Sequence, residues 1–259
     1  MIEKLQDTKK AEHLFTGWQE TIIWSCLQKI MGEIYVDCPE NPASAMAILG
    51  DFCFFAGEPK EEVVRFRPER HRKDFIIMVP QHDGWSELIE ACYKETCRKT
   101  VRYALKKEPD VFAKEKLQQA VKSLPEGYTL RMLDEELYER CRKEDWCCDW
   151  VAQYGDYEEY KKYGLGAVIL KDEEIVSGAS SYSSYREGIE IEIDTKEGYR
   201  RKGLAYVSGA KLILECLKRN LYPSWDAQNL WSAALAEKLG YHFFHEYEVY
   251  EVWGLLSKD

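Results

Sequence analysis

The sequence predicts a mixed α/β protein built in two halves, because strand-like and helix-like runs alternate along its 259 residues. The clearest strand covers residues 189–195, where apolar and polar side chains alternate strictly. A basic turn follows at Arg200, Arg201 and Lys202, and an apolar helix-like run then covers residues 207–217. These features, in this order, indicate the fold class and point to a site.

The second half begins with a predicted strand at residues 128–133. Asp134 is expected to cap a helix over residues 135–146, because carboxylates fill the first turn of that run. The elements expected after it are a helix at 157–163, strands at 167–170 and 175–185, the strand and helix described above, a strand at 222–227, a helix from Asn229 to Leu239 and a strand at 241–253.

The first half opens with Leu14, Trp18, Ile22 and Leu27 at roughly helical spacing, which predicts a helix. The elements expected after it are strands at 32–36 and 45–55 with a break at Gly50, a helix at 61–66, a strand at 74–79, a helix at 85–93 and a strand at 100–105. A polar segment broken by Pro109 and a charged helical run over 111–123 then act as a connector. We therefore place the two halves at residues 1–118 and 119–259.

The charge balance bears on the partners. Lys and Arg number 36 against 46 Asp and Glu, a formal net charge of −10. Such a surface repels a phosphate backbone, so no nucleic-acid partner is expected. It mildly favours cationic substrates such as amines, although solubility alone also explains it. The sequence shows no apolar run long enough for a membrane span and no signal-peptide pattern, so no membrane partner is expected. The sequence is also compatible with a homodimer.

The nine cysteines are scattered and lack the paired spacing of a metal site, so no metal is expected. Most of them lie in apolar surroundings, where a cysteine is typical of a small core residue. This pattern predicts a reducing, cytoplasmic location.

The basic turn has the chemistry of a phosphate site. A strand, a tight turn containing Gly203 and a helix place several backbone N–H groups at one helix N-terminus, which favours phosphate oxygens. Gly203 would let the backbone approach the ligand closely, because it has no Cβ. Arg200, Arg201 and Lys202 add charge that pairs well with phosphate.

Two motifs in the second half carry a family resemblance. The pattern Arg/Gln-x-x-Gly-x-Gly/Ala is matched by Arg200, Gly203 and Ala205. A second landmark is matched by Trp225-Asp226-Ala227, Asn229, Ser232 and Leu239-Gly240-Tyr241. Over residues 128–253 the chain resembles the GNAT superfamily of acetyl-CoA-dependent acyltransferases, in particular one bacterial branch. The resemblance implies a mixed, mostly antiparallel sheet flanked by helices.

The resemblance also implies a cofactor and its contacts. Acetyl-CoA would place its pyrophosphate on the turn formed by Arg200, Arg201, Lys202, Gly203, Leu204 and Ala205. Its pantetheine arm would lie like an added strand along Ile193, Asp194 and Thr195, where the central strands separate. Asn229 and Ser232 would lie near the pantetheine or the thioester. The alternative for Asn229 is that it only caps its helix.

The strand before the turn supplies the candidate catalytic residues. Glu190 and Glu192 have the same parity and share a face, so either could accept a proton from an amine. The alternative is an exposed acidic face opposite the isoleucines. Many GNAT enzymes carry a tyrosine acid in the last helix, but Ala236 stands at that position here, which leaves water, Tyr206 or Tyr241 to protonate the leaving thiolate.

The first half has the same order of strands and helices but no phosphate turn. Glu58, Pro59 and Lys60 stand near the corresponding place, and acid and proline do not cradle phosphate. We interpret this half as a degenerate GNAT-like copy, or else as an unrelated helical and β cap. The expected function is N-acetylation of a small-molecule amine from acetyl-CoA. The alternative is a weak or inactive GNAT module that binds CoA or acyl-CoA as a sensor.

Overall fold

The computed structural model describes residues 1–71 and 73–255. The chain divides into two compact units. The first contains Met1–Arg102 together with the chain from Glu246 onward, and the second is Tyr103–His245. In the part of the chain that the structure describes, no helix is both long and apolar enough to cross a bilayer.

The regular elements follow one another in mixed order along the chain. The strands are β1 Glu3–Lys4, β2 Glu33–Val36, β3 Ser44–Leu49, β4 Phe52–Gly57, β5 Phe75–Pro80, β6 Cys97–Leu105, β7 Tyr128–Met132, β8 Gly166–Lys171, β9 Glu174–Tyr185, β10 Gly188–Thr195, β11 Tyr222–Ser224, β12 Asp226–Ala227 and β13 Phe243–Trp253. The α-helices are α1 Thr21–Leu27, α2 Glu61–Arg65, α3 Asp83–Tyr93, α4 Lys114–Lys122, α5 Glu135–Cys141, α6 Tyr157–Tyr163, α7 Leu204–Lys218 and α8 Leu230–Leu239.

The second unit contains a sheet with the order β11-β10-β9-β8-β7. Strands β7 to β10 are antiparallel neighbours, whereas β11 runs parallel to β10. The parallel pairing joins Gly188 to Tyr222 and ends where Glu190 faces Ser224. Beyond Trp225 the chain leaves β10, because β12 pairs instead with the last residues of β6. Among the described residues, no strand pairs with this edge of β10 beyond Glu190.

Helix α7 covers this sheet and forms most of the core of the second unit. Its first turn packs through Leu204 and Val207 against Ile169 and Val176 of the sheet. Further along, the buried residues shared by α7, β10 and α8 are Ala210, Leu212, Ile213, Ile189, Ile191, Ala233, Ala236 and Leu239. The apolar faces of α7 and α8 therefore fix the position of the turn that begins α7.

Strands β1 to β5 of the first unit repeat this topology. Its strand order begins β1-β2-β3-β4-β5, with antiparallel neighbours up to β4 and a parallel β4–β5 pair. Helix α2 lies between the parallel strands in sequence, and α3 follows them, as α7 and α8 do in the second unit. The two units therefore share the order of their strands and helices, and the interpretation of the first half as a degenerate copy stays a prediction.

Strand β13, near the C-terminal end of the described residues, lies next to β5 in the sheet of the first unit. Residues Tyr250 to Trp253 of β13 pair antiparallel with Met78 to Phe75 of β5. Tyr250 and Val252 are fully buried in the same core as Met78 and Trp85. The first unit therefore depends on both ends of the sequence.

Besides the strand predicted at 222–227, which is divided between β11 and β12, two further predicted elements differ from the structure. The N-terminal helical pattern is divided into a 3-10 helix at Thr8–Phe15 and the α1 helix, because Gly17 lies between them with φ +89°. The helix predicted over residues 135–146 ends earlier, at Cys141. The chain turns after it and brings Trp150 into the core, where Trp146 packs edge-on against it at 5.2 Å.

Candidate cofactor site

The basic turn forms an open helix N-terminus. Strand β10 ends at Thr195, and α7 begins at Leu204. Between them Arg201 and Gly203 have φ +62° and +79°, in the left-handed region. A Cβ built on Gly203 would meet no atom within 4 Å, and no side chain caps the helix. The N–H groups of the first turn therefore face open space, as an anion site requires.

Side-chain contacts hold the turn in place. The Arg200 Nε donates to the Thr195 carbonyl at 3.1 Å, and its Nη2 lies 3.8 Å from Asp194 Oδ1. The Tyr199 hydroxyl donates to Glu174 Oε2 at 2.9 Å. Hydrogen bonds from Lys196 and Tyr199 lower the pKa of the Glu174 carboxyl. These contacts anchor the turn to the sheet.

A cavity of about 590 Å³ opens beside this turn, within the second unit. It is bordered by the end of β10, the start of α7, one face of α8 and the start of α4. Four of its lining side chains are basic and one is a carboxylate, whereas the whole chain carries a net charge of −10. The lining residues are Lys116, Ile193, Asp194, Thr195, Tyr199, Arg200, Arg201, Gly203, Leu204, Ala205, Tyr206, Trp231, Ser232, Leu235 and Lys238.

Most of the residues assigned to the cofactor from the sequence line this one cavity. They are Ile193, Asp194, Thr195, Arg200, Arg201, Gly203, Leu204, Ala205 and Ser232. Lys202 and Asn229 do not line it: the Lys202 ammonium lies 4.7 Å from the Tyr199 ring centre. The Asn229 Oδ1 accepts a hydrogen bond from the Ser232 N–H at 2.9 Å and so caps α8.

The unpaired edge of β10 leads into the cavity. Ile193, Asp194 and Thr195 lie beyond the last parallel pair, and all three contribute to the lining. On the other side of the strand they remain paired with Ala179, Gly178 and Ser177 of β9. One edge of β10 is therefore paired with β9, while its other edge is available for an extended ligand.

The two glutamates have different surroundings. Glu190 is 8% exposed, so the prediction of an exposed acidic face is wrong for this residue. Burial and then the nearby charge of Glu190 raise the pKa of the Tyr185 hydroxyl. Glu192 is half-buried, and neither glutamate lines the cavity. The β9–β10 register shifts between Glu190 and Ile191, which marks a bulge in this part of the sheet.

Ala236, at the position where many GNAT enzymes carry a tyrosine acid, lies in the core. It is fully buried, in the same core cluster as Ile189 and Ile191 of β10. Tyr241 is also buried, and its hydroxyl donates to the Pro223 carbonyl at 2.5 Å. Burial raises the pKa of Tyr241 well above its usual value, so it is a poor proton donor. Tyr206, by contrast, lines the cavity.

The sequence interpretation missed part of the lining. Trp231, Leu235 and Lys238 face the cavity from α8, and Lys116 does so from α4. The first three share one helical face by their spacing, so the pattern was present in the sequence. Within the described residues no group of His, Cys, Asp and Glu is placed to hold a metal ion. All the cysteines are free thiols.

Comparisons with known proteins agree with this geometry. The model of the family described as GNAT acetyltransferase matches residues 12–250. A protein of Bacillus subtilis, described as the uncharacterised N-acetyltransferase YdfB, is 29% identical over 251 residues and covers 89% of each chain. A solved structure of a GCN5-related N-acetyltransferase-like protein from Streptococcus suis is 47% identical, with a TM-score of 0.90, over 96% of this chain and 98% of that chain.

A more distant structure shares the fold along the whole length. It is a tandem GNAT protein from the clavulanic acid biosynthesis pathway, with 10% identity, a TM-score of 0.56 and 100% coverage of both chains. At that identity the likeness concerns the fold alone. Together with the family match over most of its length, the topology and the open helix N-terminus lead to one conclusion: this chain belongs to the GNAT acetyltransferase family, whose members are N-acetyltransferases.

Proposed function

We propose that the protein transfers an acetyl group from acetyl-CoA to the amine of a small-molecule acceptor. One observation carries the proposal. The unpaired edge of β10 and the uncapped N-terminus of α7 open into the same cavity, beyond Glu190 and at Gly203. An extended ligand that carries amides at one end and a pyrophosphate at the other needs both features side by side.

The residues of the cavity fit the parts of acetyl-CoA. The pyrophosphate would accept hydrogen bonds from the N–H groups of the turn and the first turn of α7, aided by Arg200 and Arg201. The pantetheine amides would pair with the backbone of Ile193 to Thr195 as an added strand. Lys202 lies at the same turn, where its charge would act over a longer distance. Asn229 would act indirectly, because it fixes the first turn of α8, from which Ser232 lines the cavity.

The reaction needs a proton acceptor and support for the leaving thiolate. The amine nitrogen attacks the thioester carbonyl, the carbon–sulfur bond breaks, and the amine loses a proton. Glu190 and Glu192 are the proposed acceptors of that proton, directly or through water. Glu192 is the more exposed of the two. Tyr206 lines the cavity and could return a proton to the sulfur. Tyr241 is instead buried and bonded to Pro223, and Tyr199, the other tyrosine of the lining, donates its hydroxyl hydrogen to Glu174.

The acceptor is proposed as an amine because the family members that the chain resembles are N-acetyltransferases. The acidic surface favours a cationic acceptor over an anionic one. The free thiols fit a reducing, cytoplasmic location. The second candidate is a module that binds CoA without turnover, which the buried Ala236 at the usual acid position favours.

Calorimetry with CoA tests the site. Replacing Gly203 with Trp puts a large side chain where φ is +79° and the backbone must meet the ligand. Binding should fall by more than tenfold, and Gly198→Trp serves as the control, because that glycine also meets no atom within 4 Å but does not line the cavity. Equal CoA binding by Gly203→Trp and the parent would contradict the site. Thiol release from acetyl-CoA with a panel of amines separates the enzyme from the sensor.

A further inference from the structure

Each of the two glutamates of β10 has a serine of β9 directly opposite it in the sheet. Glu190 is paired with Ser183, and Glu192 is paired with Ser180. Directly opposite residues of an antiparallel pair point their side chains to the same face, with Cβ atoms about 4.5–5.5 Å apart. Each serine hydroxyl therefore lies within reach of one proposed proton acceptor, and the hydrogen bonds of the two serines distinguish them.

The Ser180 hydroxyl is already used in structural contacts. Its Oγ donates to the Trp150 carbonyl at 2.8 Å and lies 2.9 Å from the Tyr160 hydroxyl oxygen. A serine hydroxyl has one hydrogen to donate, and the Trp150 carbonyl takes it. Ser180 therefore has no hydrogen left to donate to Glu192.

The Ser183 hydroxyl is in a different position. Ser183 is also fully buried, yet its Oγ has no hydrogen-bond partner within residues 1–71 and 73–255. A buried hydroxyl without a partner costs stability, and such groups are rare in folded proteins. Because solvent does not reach this hydroxyl, its acceptor must be a neighbouring group of the protein. The strand pairing supplies one, the carboxylate of Glu190.

Glu190 also lies where the sheet opens. The parallel pairing of β10 with β11 ends at Glu190 and Ser224, and the β9–β10 register shifts directly after Glu190. Because the phosphate turn follows Thr195, a pantetheine arm would run along β10 from Thr195 towards Ile193. Its thioester would then lie near the end of β11, on the side of Glu190.

We propose that Ser183 is a positioning residue that donates a hydrogen bond to the Glu190 carboxylate, and that Glu190 rather than Glu192 accepts the amine proton. The hydrogen bond stabilises the ionised carboxylate and fixes its orientation. During transfer the proton moves from the amine nitrogen to Glu190, directly or through water, and Ser183 keeps its own proton. This inference rests on the proposed function.

The titration of Glu190 is the first test. Carbon-13 NMR of protein labelled at the glutamate carboxyls measures it, and Glu190→Gln identifies the signal by removing it. Ser183→Ala should raise the pKa of Glu190, because the ionised carboxylate loses a hydrogen bond. Ser180→Ala is the matched control on the same strand, and it should leave this pKa unchanged.

The other ionisable groups near Glu190 do not obscure that titration. They are tyrosine hydroxyls from the end of β9, from β11 and from the segment after α8. Burial raises the pKa of each, so they stay neutral over the range in which a carboxyl titrates. These residues are Tyr185, Tyr222 and Tyr241.

Acetyl transfer is the second test, measured with acetyl-CoA and the amine of the panel that the parent acetylates fastest. Ser183→Ala should lower kcat by about tenfold, the effect of one hydrogen bond to a charged group. The acidic limb of kcat/KM should move to higher pH, while the KM for acetyl-CoA stays the same. Ser183→Thr keeps a hydroxyl and should restore most of the rate. Melting curves show that each variant is folded.

The outcomes separate this inference from the proposed function. A parent that releases no thiol from acetyl-CoA with any amine of the panel would overturn the proposed function. An active parent in which Ser183→Ala changes neither the Glu190 titration nor the acidic limb would overturn the role of Ser183 alone. Full activity in Glu190→Gln, with the loss in Glu192→Gln instead, would overturn the assignment of Glu190.

Discussion

The side chain of Gln81 accepts a hydrogen bond from the backbone N–H of Gly57 at 2.9 Å. Gly57 ends β4, the strand of the first unit that corresponds to β10, and its carbonyl accepts from Trp85 Nε1 at 3.1 Å. Parallel pairing of β4 continues to Phe55 and Pro80. The end of β10 has an unpaired edge in the second unit. The corresponding end of β4 in the first unit is thus paired and capped.

We therefore expect one CoA per chain. The backbone groups of Gly57 already have side-chain partners, and no basic glycine turn follows β4. Calorimetry of the parent should give a stoichiometry near one. The Gly203→Trp variant should show no remaining CoA binding from a second site, because we expect no CoA site in the first unit. A stoichiometry of two in the parent would contradict the closure by Gln81 and Trp85.

The proton acceptor should be revealed by single and double variants. If Glu190 or Glu192 accepts the amine proton, its replacement by Gln should lower kcat by about 10²–10⁴-fold. The affinity for CoA should change little, since neither side chain lines the cavity. Glu197→Gln is a control outside the strand. Full activity in both single variants and in the double variant would exclude this strand from proton transfer.

The two tyrosines should behave differently. Tyr206→Phe should lower kcat, by about tenfold or more, if its hydroxyl protonates the thiolate, and it should leave the melting temperature unchanged. Tyr241→Phe should lower the melting temperature and leave kcat unchanged. Its buried hydroxyl donates to the Pro223 carbonyl, and loss of the hydroxyl leaves that acceptor unsatisfied. Rates and melting curves of both variants check this. A slow but stable Tyr241→Phe would reassign the acid.

The first unit should lose stability in acid partly through Asp37. Burial opposes ionisation of this carboxyl, but the hydrogen bond from Lys60 and those from the Ser44 and Ala43 N–H groups outweigh it and lower the pKa. A carboxyl with a lower pKa in the folded state stabilises the protein above its unfolded pKa of about 3.9, and this stabilisation is lost as the pH falls through the folded pKa.

Urea unfolding at a series of pH values from 7 down past the unfolded pKa of about 3.9 measures this loss. Asp37→Asn should be less stable than the parent at neutral pH, and the difference should shrink in acid. Glu40→Gln is the control, because Glu40 is 88% exposed in its pair with Lys10. A constant difference across the pH range would show that the Asp37 charge does not contribute.

The boundary between the halves can be tested with shortened chains. We expect residues 103–245 to be more stable than residues 119–259. The first keeps the β6 residues that pair with β12, along with Phe112 and Leu117 of the core. The second loses these and carries Tyr250 and Val252, which are buried only against the first unit's own core. Melting curves and gel filtration decide, and a stable, monomeric 119–259 would contradict the expectation.

Local signals in the sequence predicted much of the fold. The basic turn, Asn229 at the start of α8 and the strand before Thr195 were all visible, because capping and periodicity act over a few residues. The burial of Glu190 could not be predicted, since alternation with isoleucine is typical of a strand with one solvent-exposed face. In the structure β10 is instead an inner strand of its sheet, and Glu190 is buried. The break at Trp225 and the pairing of β13 with β5 arise from contacts distant in sequence, which periodicity does not report.

The pairing of β13 with β5 has a consequence for how the protein is made. Synthesis runs from the N-terminus, and domains that emerge first usually fold first. Here the first unit cannot bury Met78 or Trp85 against Tyr250 and Val252 until strand β13 has left the ribosome. The second unit, whose strands are contiguous from Tyr103 to His245, is complete earlier. The half made first is therefore the half that is finished last.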